Sequence, residues 1–173
     1  HETHDVLHGG DPPPGDPAFT LRQAASTRAY WILMASVIAP GLIGTALLFH
    51  MSTMLESAGL EGTADQVAVC VQPWPIAFGV STLFFGWIAD RQPPRSLLFL
   101  GAVLMAGSCG VCLTAIVPGR EAWLTIFLMG AGMAVFGIAQ AAMVAVGNPT
   151  VARYFGRTHH GAIRGTISTA IVA

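Results

Sequence analysis

The chain has 173 residues, of which 53% are hydrophobic and only 10% charged, whereas a soluble domain carries roughly 25% charged residues. Water is therefore not its main solvent. A formal net charge of −1, no lysine and no long basic run leave no electrostatic footprint for nucleic acid or for an acidic substrate, and those classes are set aside.

The first 18 residues are acidic and rich in Gly and Pro, with Gly9-Gly-Asp-Pro-Pro-Pro-Gly-Asp-Pro17 as the densest run of breakers. They read as a linker, and with no basic start followed by an apolar run they do not read as a secretory signal. His1, His4 and His8 fall within it as solvated tail residues rather than metal ligands. The chain opens on His1 rather than Met and stops at Ala173 just as an apolar run has begun, so the expectation is a fragment.

Residues 19–30 predict a short interfacial helix, with Thr20 and Gln23 as a capping box and Tyr30 and Trp31 at headgroup level. From residue 31 to 173 the pattern is that of an all-α transmembrane bundle. No fully charged residue lies between Arg28 and Glu56, Asp65 and Asp90, Arg95 and Arg120, or Glu121 and Arg153. Each gap exceeds the ~20 residues needed to cross the hydrocarbon. The spans are placed at 31–51, 67–89, 96–117 and 123–143, with a fifth, cut short, over 161–173. If they cross in turn, Arg22, Arg28, Arg91, Arg95, Arg153, Arg157 and Arg164 share one side and only Arg120 lies opposite. By the positive-inside rule that side, with residues 1–28, is cytoplasmic, and the location is the cell membrane.

The spans hold no Asp, Glu, Lys or Arg, so no proton-carrying carboxylate or buried counter-ion is expected within them. Thr45 and His50 in the first span, Gln72 in the second, and Gln140 and Asn148 in the fourth either hydrogen-bond a solute or link helices. Pro40-Gly41, Pro73-Trp74-Pro75 and Asn148-Pro149 are expected to bend their helices, since each proline removes an intrahelical hydrogen bond. Cys70, Cys109 and Cys112 lie in apolar runs and, lacking further ligands, read as small packing residues. Gly101-Ala102, Ala106-Gly107-Ser108, Gly130-Ala131-Gly132, Gly137 and the GxxxG of Gly161 and Gly165 favour close backbone packing. No cluster of carboxylates, histidines or a nucleophile with its base is present, so neither an enzyme nor a metal or cofactor site is expected.

The short loop Gly86-Trp-Ile-Ala-Asp90-Arg91-Gln-Pro-Pro-Arg95 resembles the G-x-x-x-D-R-x-G-R-[KR] signature of the major facilitator superfamily. Gly86, Asp90, Arg91 and Arg95 match, while Pro93 and Pro94 stand where the family usually has Gly and Arg. A long polar segment precedes the first span, as the central loop of that family precedes its seventh helix, so the resemblance implies helices seven to ten with the eleventh begun. Phe19–Trp31 and Tyr154–Gly165 look like the oxalate/formate and monocarboxylate antiporter branch.

What the resemblance implies is a secondary active transporter that moves a small solute by alternating access, with an organic anion such as a monocarboxylate as the solute to which the branch points. Its partners would be the solute, the lipid bilayer and a missing N-terminal half, with no nucleic acid. By family position Thr45 and Gln140 line the solute pathway. Asp90 is expected to close the cytoplasmic side by pairing with Arg91, Arg95, Arg157 or Arg164. No fixed cation for an anion lies in these spans, which weighs against a dicarboxylate. The alternative is a non-transporting membrane scaffold or assembly subunit.

Overall fold

The computed structural model describes residues 19–155 and 160–169, so the linker over 1–18, with its three histidines, and Arg157 lie outside the described residues. What is described forms seven α-helices, and no strand occurs among these residues. The all-α expectation holds, and four segments are long and apolar enough to cross a membrane: Arg28–Ser57, Ala64–Ala89, Pro94–Ala115 and Ala122–Gly147.

Two threonines set the start of the bundle. Thr20 and Gln23 form the expected capping box at helix α1, Leu21–Ala25. The predicted interfacial helix does not continue to residue 30, because Thr27 takes an extended conformation and its hydroxyl accepts from the Tyr30 amide at 3.3 Å. That bond satisfies one of the four orphan donors of a new helix, α2, Arg28–Ser57. Trp31 then donates its indole N–H back to the Ala25 carbonyl at 2.9 Å, fixing α1 against the entry of the span.

Along α2 the buried residues Pro40, Gly44, Leu47, Met51 and Leu55 recur every three to four positions, with Leu33 two turns before them, a single stripe suited to one helical neighbour. The opposite side, with Leu42 and Phe49, is exposed, as a lipid-facing surface or an open face requires. The helix ends on Gly59 at φ +91°, with Gly59 N–H donating to Glu56 and Leu60 N–H to Leu55. This pair of bonds is a Schellman stop, and it drops Leu60 onto the core beside Leu55.

The second crossing is interrupted. Helix α3, Ala64–Val71, begins on a further capping box, Thr63 with Gln66. Helix α4, Pro73–Ala89, carries Pro73 in its first turn, and Gln72 between the two keeps a helical conformation with its amide donating to the Ala68 carbonyl at 3.0 Å. Prolines are tolerated there because the first-turn N–H groups lack intrahelical partners in any case. Helix α5 spans Pro94–Ala115, α6 spans Ala122–Phe155 and α7 spans His160–Thr169. Backbone helix runs through Asn148-Pro149 without a break, so α6 extends 12 residues past the expected end at residue 143.

Helix α6 is the most enclosed of the four spans and the α3–α4 segment the least. Lipid removes the hydrophobic drive between helices, so close packing of small residues must hold the bundle, and α6 meets each neighbour this way. A methyl group on Gly137 would stand 2.5 Å from the Trp74 carbonyl oxygen of α4. One on Gly132 would stand 2.5 Å from the Cys112 sulfur of α5, and one on Gly44 of α2 would stand 3.1 Å from the Phe136 ring. Met51, Cys70, Cys112, Met129, Met133 and Phe136 fill the core so formed. At the other end of α6, Phe155 packs with Phe19, Tyr30 and Leu33, and the Phe19 amide donates to the Phe155 carbonyl at 3.2 Å.

Candidate functional site

The loop that carries the signature residues is a tight connection between α4 and α5. Asp90 caps the last turn of α4, the amides of Arg91 and Gln92 both donate to the Ile88 carbonyl, and Pro93 and Pro94 start α5. Proline at 94 supplies a preset φ and no N–H, which suits a first helical position. Asp90, Arg91 and Arg95 are exposed. Arg91 turns back over α4: its guanidinium lies 4.1 Å from the centre of the Trp87 ring and donates to the Trp87 carbonyl at 3.2 Å. Among the described residues no ion pair joins Asp90 to Arg91 or Arg95. Arg157 and the side chain of Arg164 lie outside the described residues. Gly86 is exposed, and a methyl group there would meet nothing within 4 Å, so no described neighbour demands glycine at that position.

Deeper in the bundle, the polar residues of the spans are distributed unevenly. Thr45 is exposed on the side of α2 that turns away from the buried stripe, with Leu42 and Phe49 on the same side. Gln140 on α6 is half-buried, and its side-chain carbonyl accepts from the Trp74 indole N–H of α4 at 2.9 Å. Trp74 also tilts against Phe136, ring centres 6.1 Å apart, and Gly44 of α2 abuts the same Phe136. Three spans thus converge on one cluster of Trp74, Phe136, Gln140 and Gly44, while no hydrogen bond joins Thr45 to Gln140 among the described residues. His50 and Gln72 are exposed.

Pro73-Trp74-Pro75 explains the placement. The two prolines interrupt the backbone ladder around Gln72, and the restarted helix presents Trp74 to α6 opposite Gly137, where no side chain intervenes. Pro40 and Gly41 lie within unbroken helix, Pro40 buried on the stripe of α2. Ser108 of α5 donates to the Gly132 carbonyl at 2.8 Å. In a membrane, such interhelical bonds contribute about 0.6 kcal/mol on average, and up to about 1.7.

The sequence pattern of the Major Facilitator Superfamily matches residues 4–172. This chain belongs to the major facilitator superfamily. Comparison with curated proteins and with solved structures returned no match.

As a major facilitator protein the chain is a multi-pass membrane transporter, which disfavours the scaffold alternative and fits the lack of an enzyme-like constellation in its sequence. Sequence reasoning named Gly137 only for close packing and Trp74 only within a bend, and it missed Phe136. The signal for Trp74 was its position between two prolines, and the signal for Phe136 was its place beside Gly137 on the span that also carries Gln140.

Proposed function

We propose that this chain is part of a secondary active transporter that moves a small solute by alternating access, with α2, α4, α5 and α6 as helices seven to ten and α7 opening the eleventh. The arginine-bearing loops face the cytoplasm of a cell membrane, and a second set of spans completes the cavity. The observation that carries this reading is the Trp74–Gln140 hydrogen bond at the meeting of α2, α4 and α6. Among the described residues it is the one side-chain to side-chain hydrogen bond between two of the four spans. A donor and an acceptor held in an apolar interior, beside an aromatic face, are what a small polar solute needs for orientation. Midplane sites between repeats are the usual place for such groups in transporters.

In this reading Gln140 exchanges its indole partner for a solute, and Thr45 supplies a hydroxyl from the exposed side of α2. The Pro73–Pro75 interruption lets the outer part of the second crossing move against α6. Asp90, with Arg157 and Arg164, closes the cytoplasmic mouth in the outward-facing state, while Arg91 anchors on Trp87. The solute is an organic anion of the monocarboxylate class, bound through neutral donors because no cationic side chain lies within the spans.

The test is uptake by the full-length transporter in proteoliposomes, with labelled monocarboxylates set against neutral and hydrophobic solutes. Saturable monocarboxylate uptake that falls at least fivefold in Gln140→Leu is expected. If uptake is confined to neutral solutes, the anion reading fails. If Gln140→Leu transports as the parent does, the site reading fails.

A further inference from the structure

Next to the α4–α5 loop lies a groove of about 530 Å³ that the transport reading does not use. Its mouth, at the loop end, is polar, formed by Arg91, Gln92 and Ser96, and the rest of its lining is apolar, with Phe84, Trp87 and Leu100 exposed along it and Phe85 and Leu97 buried at its floor. The residues on either flank say what medium it opens to. Leu83 is 80% exposed and Phe99 72% exposed, so apolar surface of the kind that hydrocarbon wets lies open on both sides of the groove. Its mouth stands at the ends of two spans, where headgroups are, and Trp87 at that level matches the preference of indole for the interface.

The charge at the mouth is one-sided. Arg91 donates to a carbonyl and lies over the Trp87 face, at 3.2 Å and 4.1 Å, and among the described residues it has no carboxylate partner. Stacking holds the guanidinium in place with donors to spare, since the planar fork has five N–H groups and one is used here. Ser96 adds a hydroxyl from the first turn of α5, where no side chain caps the helix.

We propose that this groove binds an anionic phospholipid, with the headgroup phosphate on Arg91 and Ser96 and an acyl chain along Phe84, Trp87 and Leu100. A soluble anion would find the phosphate contacts but no use for the apolar lining. A zwitterionic lipid would cover the lining but gain less at the mouth. A basic residue near an anionic membrane surface is worth about 1 kcal/mol, on the order of fivefold in affinity.

The test is native mass spectrometry of the purified full-length transporter, titrated with dioleoyl-phosphatidylglycerol or dioleoyl-phosphatidylcholine. The expected result is retention of the glycerol lipid at about fivefold lower concentration than the choline lipid. Arg91→Gln should level the two lipids, and Arg22→Gln, whose charge lies on α1 outside the groove, should leave the preference intact. Leu100→Trp, which keeps Arg91 and fills the groove, should weaken both lipids. Inorganic phosphate and glycerophosphoglycerol at matched concentration should not displace the lipid. Equal retention of the two lipids by the parent protein overturns the proposal. So does an undiminished preference in Arg91→Gln, and displacement by inorganic phosphate reassigns the mouth to a free anion.

Discussion

Replacing Gly137 with Ala asks whether α4 and α6 depend on their close approach. The added methyl would stand 2.5 Å from the Trp74 carbonyl oxygen and 3.0 Å from the Phe78 amide nitrogen. Carbon-to-oxygen contacts begin near 3.3 Å, so the two helices must part locally by about 0.8 Å. That displacement stretches the Trp74–Gln140 bond from 2.9 Å to about 3.7 Å, beyond hydrogen-bonding range. Overpacking of this kind costs about 1–3 kcal/mol, and the lost interhelical bond adds about 0.6 kcal/mol. Alanine returns about 1 kcal/mol of helix propensity, leaving a net destabilisation of about 0.6–2.6 kcal/mol. At about 2–4 °C per kcal/mol for a chain of this size, the melting temperature should fall by several degrees. The assay is thermal unfolding of the full-length transporter in detergent, read beside Gly107→Ala. On α5 a methyl at position 107 meets nothing within 4 Å, so that variant should be neutral or slightly stabilised. If the two variants melt together, the close contact does not hold the bundle.

Other substitutions separate packing from transport. Trp74→Phe and Gln140→Leu should each slow uptake, and the double variant should be no slower than the worse single one if the pair acts as a unit; additive losses would show that the two act separately. Ser108→Ala removes the bond to the Gly132 carbonyl and should destabilise by about 0.6–1 kcal/mol in thermal unfolding while leaving the uptake KM unchanged. Asp90→Asn should alter the uptake rate at an unchanged amount of inserted protein, and normal rates would remove it from the gate. Gly62 sits at φ +64°, where a methyl would lie 2.8 Å from the Ser52 carbonyl. Gly62→Ala should therefore lower the melting temperature more than Gly59→Ala, which shares the backbone strain at φ +91° but meets no neighbour within 4 Å.

Much of the fold was legible because hydrocarbon imposes a length and a composition that few other environments share. The charge-free gaps marked four crossings, and Thr20 with Gln23 marked a helix start that the backbone adopts. Boundaries were less legible where a side chain competes with the ladder. Thr27 splits the expected interfacial helix by capping a new one, and Thr63 with Gln66 starts the second crossing three residues before the first apolar position chosen for it. Asn148-Pro149 looked like an end, yet the backbone stays helical beyond it. The site was legible as residue types rather than as partners. Gln140 stood out as a polar residue in an apolar run, but its engagement with Trp74 depends on how α4 restarts at Pro73. Arg91 read as a candidate partner for Asp90, and the aromatic face one turn earlier on its own helix holds it instead.

The glycines around α6 have a mechanical consequence. Bulky side chains between helices act as bearings, letting one helix roll or slip by exchanging rotamers. Backbone seated on backbone, as at Gly137, has no such bearing, and the Cys112 sulfur against Gly132 and the Phe136 ring against Gly44 add two more close seats. Helix α6 therefore behaves as a keyed shaft: when it tilts, α2, α4 and α5 tilt with it, and motion has to appear where the shaft is not keyed, in the short α3 segment beyond Gln72 and on the open side of α2.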